Sequence, residues 1–183
     1  MPLKTEIWVS QCIPPSLEGM KVLDVGAWDG YYSFLCEQRG AHVTAIDISH
    51  EHRRGFEVAR SILNSRVQYE TMSVYDIDQL PQNFDYVLCF GVLYHLENPI
   101  LALRKIREKC TGMMLLETAS ILSPRSTVDF VWPKHPDQTT YWRFSNKALI
   151  RMCKLAGFRD VETKAFKWYV PLRRGRTLIE ASC

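Results

Sequence analysis

The sequence predicts an α/β fold, a mostly parallel sheet with helices on both faces, and three observations carry that expectation. Short apolar runs alternate with amphipathic ones from Lys21 onward, and strands that alternate with helices require a parallel sheet covered on both sides. The first run, Lys21-Val22-Leu23-Asp24-Val25, opens into a turn bounded by Gly26 and Gly30 before an amphipathic stretch beginning at Tyr31. The tail changes character: residues 161–170 and 177–181 are β-rich and joined through Pro171 to Arg176, most simply as an antiparallel pair.

Taken in order, residues 1–19 hold Trp8, Val9, Cys12 and Ile13 at mixed spacing, then Pro14-Pro15, which bars a continuous helix. They read as a short helix and linker ahead of one domain spanning residues 20–183. After the first strand come a helix over about 30–39 with its stop at Gly40, a strand over about 41–47, a helix over about 50–63 and a strand over about 67–72. Phe84 to Phe90 is a fourth strand, and Pro99 with the periodic Ile100, Leu101, Leu103 and Ile106 starts the next helix. Gly112 to Glu117 is a fifth strand, and a helix near Asn146 to Leu155 stops at Gly157. The interval from Ser120 to Arg143 is longer than an ordinary connection and holds Phe130, Trp132, Pro133, His135, Pro136, Tyr141 and Trp142. It reads either as a binding loop at the carboxyl edge of the sheet or as an aromatic plug of the core.

Composition narrows the function classes. The 183 residues are 46% hydrophobic and 23% charged, with no apolar run long enough to cross a bilayer and no basic-then-apolar leader at the start. A cytoplasmic location without membrane partners is expected. Six cysteines, with no Cys-x-x-Cys pair or Cys/His cluster, point to free thiols and no metal site. A net charge of +3 does not imply nucleic acid. One basic cluster, Lys164, Lys167, Arg173, Arg174 and Arg176, reads first as a solvated hairpin.

The glycine turn is the candidate cofactor site. A dinucleotide site needs Gly-x-Gly-x-x-Gly, which Gly26 and Gly30 do not supply. The second strand ends in Asp47, about 20 residues past the first glycine, where nucleotide folds accept ribose hydroxyls. The pattern Asp24-x-Gly26-x-x-x-Gly30 resembles the first motif of class I S-adenosylmethionine (SAM) methyltransferases, with Trp28 in place of the middle glycine. Phe84 to Pro99, with its Gly91-Val92-Leu93-Tyr94-His95 block, is similar to the tRNA wobble-uridine (5-methoxyuridine/carboxymethoxyuridine) methyltransferases and their uncharacterised relatives, as are Leu116-Glu117-Thr118 and Lys154 to Phe158.

The resemblance implies a Rossmann-like class I methyltransferase fold, with a mostly parallel seven-stranded sheet and a C-terminal antiparallel hairpin. It implies that Asp24, Gly26, Ala27, Trp28 and Gly30 surround the methionine part of SAM, that Asp47 and Ile48 meet the ribose side, and that Tyr75 and Asp76 lie at the adenine edge. Gly91 would let the fourth strand pass close to the sulfonium. Methyl transfer needs alignment, exclusion of water and a proton acceptor when the attacking group is a hydroxyl. His95, flanked by Tyr94, sits on the loop facing that methyl; Glu117 is a second candidate base and His135 a third. Some relatives use carboxy-SAM with cationic partners, but the N-terminal lysine of those enzymes has no counterpart here, so ordinary SAM is the expected cofactor. The expected reaction is methylation of an oxygen or nitrogen on a small-molecule acceptor. The alternatives are a tRNA-modifying enzyme that uses its basic C-terminal region, and a non-catalytic SAM-fold binding protein.

Overall fold

The computed structural model describes residues 8–132, 139–169 and 174–183. Its strands are β1 (Lys21–Val25), β2 (His42–Asp47), β3 (Gln68–Thr71), β4 (Phe84–Phe90), β5 (Cys110–Ile121), β6 (Val128–Phe130), β7 (Trp142–Phe144), β8 (Val161–Tyr169) and β9 (Arg174–Ser182). The helices are α1 (Tyr31–Gln38), α2 (His50–Leu63), α3 (Pro99–Lys109) and α4 (Asn146–Leu155), with 3-10 turns at Val74–Gln79 and Leu93–His95. Trp8 to Ser10 are helical, in keeping with the short N-terminal helix.

One sheet runs in the order β3-β2-β1-β4-β5, with every neighbouring pair parallel. From β5 it divides: β9 pairs antiparallel along the length of β5 and carries β8, while β7 and β6 extend from Ser120. The described strands number nine, two more than the expected seven. The addition comes from the interval after β5, expected as loop. Val128 and Phe130 stand opposite Phe144 and Trp142, an apolar alternation that satisfies a two-strand pairing although each strand is only three residues long.

The strands β1 and β2 are buried after their first residue, β4 from Val87 to Phe90 and β5 from Met114 to Thr118, as expected of strands covered on both faces. One face packs Leu103, Ile106, Leu149, Met152 and Phe158, and the other packs Val9, Ile13, Phe34, Phe56 and Leu178. Local chemistry sets the helix limits. Asn98 Oδ1 accepts the Leu101 amide at the start of α3, Ser145 Oγ accepts that of Ala148 at the start of α4, and Gly40 and Gly157 take φ of +94° and +104° after α1 and α4. All six cysteines are free thiols. Burial pushes Cys153 up to about 12 and Cys36, Cys89 and Cys110 further, so these four are packing groups and not nucleophiles.

Candidate active site

The carboxyl ends of β1, β2, β4 and β5 bring most of the expected site residues together. The loop after β1 folds back on β2: Gly26 and Ala27 amides donate to Ile46 O at 2.8 and 3.1 Å. Gly26 has φ of +74°, and a Cβ there would stand 2.3 Å from Val92 Cγ2, so only glycine lets the two loops meet. Trp28 replaces a glycine yet keeps a glycine-like φ of +52°, and its indole is 63% exposed. Such a conformation costs about 1–2 kcal/mol for an L residue, and it is held here by the Trp28 amide donating to Asp47 Oδ2 at 3.0 Å.

Asp47 is fixed from two sides, because Ser49 N–H donates to its Oδ1 at 2.9 Å. The carboxylate is buried, while Ile48 beside it is 75% exposed, so the acid sits between two uncovered apolar side chains, Ile48 and Trp28. Asp24 lies deeper at 2% exposure, and Ser33 Oγ–H donates to its Oδ2 at 2.6 Å. Burial pushes the Asp24 carboxyl up to about 6; the Ser33 bond opposes this and Asp47 adds to it. A buried acid with no cationic neighbour among the described residues, below a glycine loop and beside a held carboxylate, fits a cofactor that carries an ammonium and a ribose diol.

The turn after β3 supplies Tyr75 and Asp76. Ser73 Oγ caps it by accepting the Tyr75 amide at 3.2 Å, and Asp76 is exposed. The Tyr75 hydroxyl accepts the Asn98 N–H at 2.9 Å, tying this turn to the loop after β4.

The turn after β4 begins at Gly91, whose φ of +74° allows the reversal and whose N–H donates to Glu117 O at 3.0 Å. A Cβ there would meet Arg176 Nη2 and Tyr94 OH, both at 3.7 Å. Tyr94 and His95 rings lie 4.1 Å apart, and the Arg176 guanidinium stands 4.9 Å from the Tyr94 ring centroid. Thr139 O lies 2.8 Å and Thr139 Oγ1 2.9 Å from His95 Nδ1. A carbonyl only accepts, so this partner assigns the imidazole proton to Nδ1 and a lone pair to Nε2. Burial lowers the His95 pKa, Arg176 adds to that effect, and the Thr139 bond opposes it.

Glu117 departs from its expected role. It is 1% exposed, and its two oxygens accept from Nε and Nη2 of Arg176. Burial works against the Arg176 charge, but the hydrogen bonds and attraction from Glu117 outweigh it, so its pKa is raised. A carboxylate held by two guanidinium N–H groups is a salt-bridge partner and a poor base. The same pair corrects the reading of Arg176 as part of a solvated cluster. Arg176 stands opposite Ala119 on β5, so it shares a face with Glu117 as a diagonal neighbour. Lys164 pairs with Glu162 and Glu180, each at 2.9 Å, while Arg173 and His135 lie outside the described residues.

Arg176, read from the sequence as part of a solvated cluster, stands beside the candidate site, and Thr139 contacts His95 there without any sequence motif to mark it. A cleft of about 330 Å³ lies at the opposite end of the sheet, lined by Glu18, Glu37, His42, Arg66 and Gln82, and includes none of these groups. Among the described residues no helix is long and apolar enough to cross a membrane.

The fold agrees with comparisons to known proteins. Residues 6–163 match the methyltransferase domain family. A tRNA U34 carboxymethyltransferase from Campylobacter jejuni is 30% identical over 152 residues, which cover 80% of this chain and 52% of that protein. The chain thus spans about half the length of the curated relatives it matches. The N-terminal domain of EvdMO1, solved with S-adenosylhomocysteine (SAH) and D-fucose, superposes with a TM-score of 0.78 at 19% identity, over 100% of this chain and 82% of that one. The 1,6-didemethyltoxoflavin-N1-methyltransferase of Burkholderia thailandensis gives 0.71 at 18% identity, over 90% and 71%. These two likenesses concern the fold. With the family match covering most of its length, the chain belongs to the methyltransferase domain family.

Proposed function

We propose that the chain transfers a methyl group from ordinary SAM to an oxygen or nitrogen of a small, partly apolar acceptor. The observation that carries this reading is the aromatic surface beside the turn after β4. Phe130 packs against Trp142 at 5.3 Å and Trp132 at 6.3 Å between ring centroids, and the Trp142 indole N–H donates to Leu96 O at 2.8 Å. That surface suits a compact acceptor with an apolar body.

Bound SAM supplies a methyl on a positively charged sulfur. The remaining work falls to the protein. Asp24 answers the ammonium, Gly26, Ala27 and Gly30 give the backbone room, and Asp47 accepts from the ribose with Trp28 and Ile48 beside it. Tyr75 and Asp76 border the adenine, and Gly91 the sulfonium. Tyr94 walls the acceptor, and His95, neutral at pH 7 with its lone pair on Nε2, receives the acceptor proton. Glu117 holds Arg176, and so steadies Tyr94.

Titration with SAM, SAH and carboxy-SAM in parallel tests the cofactor assignment. Micromolar SAM and SAH binding with weaker carboxy-SAM is the expected result, and absence of SAM binding at millimolar concentration would leave a non-catalytic binding protein. Asp47→Ala should weaken SAH binding by about 10- to 100-fold, the loss of one or two hydrogen bonds to a charged group. An unchanged affinity would remove Asp47 from the site.

The curated relatives' names favour tRNA as a second reading. Arg143, which pairs with Asp129 at 3.8 Å, and Arg174 offer one cationic pair for it, close enough that Arg174, after burial, helps lower the Arg143 pKa while Asp129 opposes this. On that reading tRNA binds with steep salt dependence, and Arg143→Ala with Arg174→Ala flattens the slope by about one phosphate contact each. Absent or salt-insensitive binding is the outcome the small-acceptor reading expects.

A further inference from the structure

The turn that bears Tyr94 and His95 is short and has little structure of its own. Its single 3-10 turn is closed by the His95 N–H donating to Val92 O at 2.8 Å, and such turns hold side chains weakly. A segment more than forty residues further along supplies what the turn lacks. Tyr141 N–H donates to Tyr94 O at 2.9 Å, and the Trp142 indole N–H donates to Leu96 O at 2.8 Å. Between them His95 Nδ1 lies 2.8 Å from Thr139 O, which can only accept, and 2.9 Å from Thr139 Oγ1, a hydroxyl that can accept alongside it. Three successive residues of the turn are therefore each bonded to one segment, Thr139 to Trp142. That segment is anchored in turn, since Trp142 opens β7 and packs partly buried against the core beside Phe130.

We propose that residues 139–142 form a strap that positions the methyl-transfer turn, with Trp142 fixing the backbone at Leu96 and Thr139 fixing the ring of His95. This deepens the proposed function and rests on it to the extent that His95 receives the acceptor proton. The chemistry is that of a base oriented by a third group. An imidazole that donates from Nδ1 to a carbonyl is held in one tautomer, and that tautomer alone presents an unprotonated Nε2. A carbonyl suits this task because it orients the ring without adding the negative charge that would raise the His95 pKa. Because the strap also carries Trp142, the acceptor's aromatic surface and the proton acceptor keep one geometry relative to each other. Neither residue need touch the acceptor to act in this way, so both are positioning residues.

The test needs no acceptor. In ¹⁵N-labelled protein at neutral pH, long-range proton–nitrogen correlation of the His95 ring is expected to show Nδ1 protonated and Nε2 bare. Trp142→Phe removes the indole donor while keeping an aromatic ring. It should bring His95 to a mixture of tautomers, speed exchange of the Tyr141 amide by at least about fivefold, the equivalent of one hydrogen bond, and leave SAH affinity within about twofold. A wild-type ring protonated at Nε2 would overturn the proposal. So would a Trp142→Phe protein with wild-type tautomer and exchange. If Trp142→Phe does not fold, the wild-type tautomer decides alone. SAH binding to the wild-type chain separates the two levels: its failure removes the methyl-transfer reading, whereas a failed tautomer test with SAH bound removes only the strap.

Discussion

Arg176→Ala is expected to lower the unfolding free energy by roughly 3–5 kcal/mol, the usual result of leaving a buried charge without its partner. Glu117 keeps only 1% of its surface, so water cannot replace the two N–H donors it loses. The Arg176 side chain keeps 22%, which pulls the expectation toward the lower end of that range. Urea denaturation at pH 7.5 measures it. The paired replacement, Glu117→Leu with Arg176→Met, should recover most of the loss, since two apolar groups of similar volume need no compensation. If the pair were a surface ornament, the single variant would lose less than about 1 kcal/mol and the double would recover nothing. Arg176→Ala also strips the cation from the Tyr94 ring, so the Tyr94 resonances should broaden even where the fold survives.

Asp24→Asn is expected to make the cofactor-free protein more stable and a worse binder at once. With a folded pKa of about 6 against an ordinary 3.8, the native state holds its proton more tightly than the unfolded chain does. The stability contributed by the neutral acid is complete below about pH 4 and is lost as pH rises through 6, about 3 kcal/mol in all. Asparagine keeps the acceptor for the Ser33 hydroxyl and carries no charge, so the variant should gain about 2–3 kcal/mol at pH 7.5 and little at pH 4. SAM binding should move the other way. The cofactor's ammonium favours the ionised acid, and affinity for the wild type should fall by about tenfold per pH unit below 6, because binding must then release a proton. Denaturation and calorimetry across pH 4–8 check both halves; a SAM affinity flat over that range, or an Asn variant less stable at pH 7.5, would sink the assignment.

The parallel part of the fold was legible because buried strands are continuous apolar runs and the helices between them are periodic. β4 and α4 begin and end where the pattern puts them, and β2 and β3 differ by a residue or so. Asp24, Gly26, Gly30, Asp47 and Gly91 converge because each lies at or just past the carboxyl end of a strand, and parallel strands bring those ends to one edge. What could not be read depends on register. Arg176 looked like one of five neighbouring cations, and only the pairing of β9 with β5 sets it diagonal to Glu117. Thr139 meets His95 across 44 residues through a backbone carbonyl, a group every residue possesses, so no side-chain pattern marks it. β6 and β7 left a faint signal, the alternation Val128/Phe130 and Trp142/Phe144, too short to stand against the prolines between them.

The place of β9 has a consequence for how the molecule is made. It comes late in the chain, yet it lies inside the sheet, between β5 and β8, and it brings the guanidinium that Glu117 requires. A ribosome delivers residues in order, and domains tend to assemble from the N-terminal side as they emerge. Until residues 174–182 are released, β5 presents an open edge and an acid with no counter-charge, at the very edge where the site will stand. Chains released without residues 174–182 should accordingly be sensitive to protease along β5, and those released with them should not.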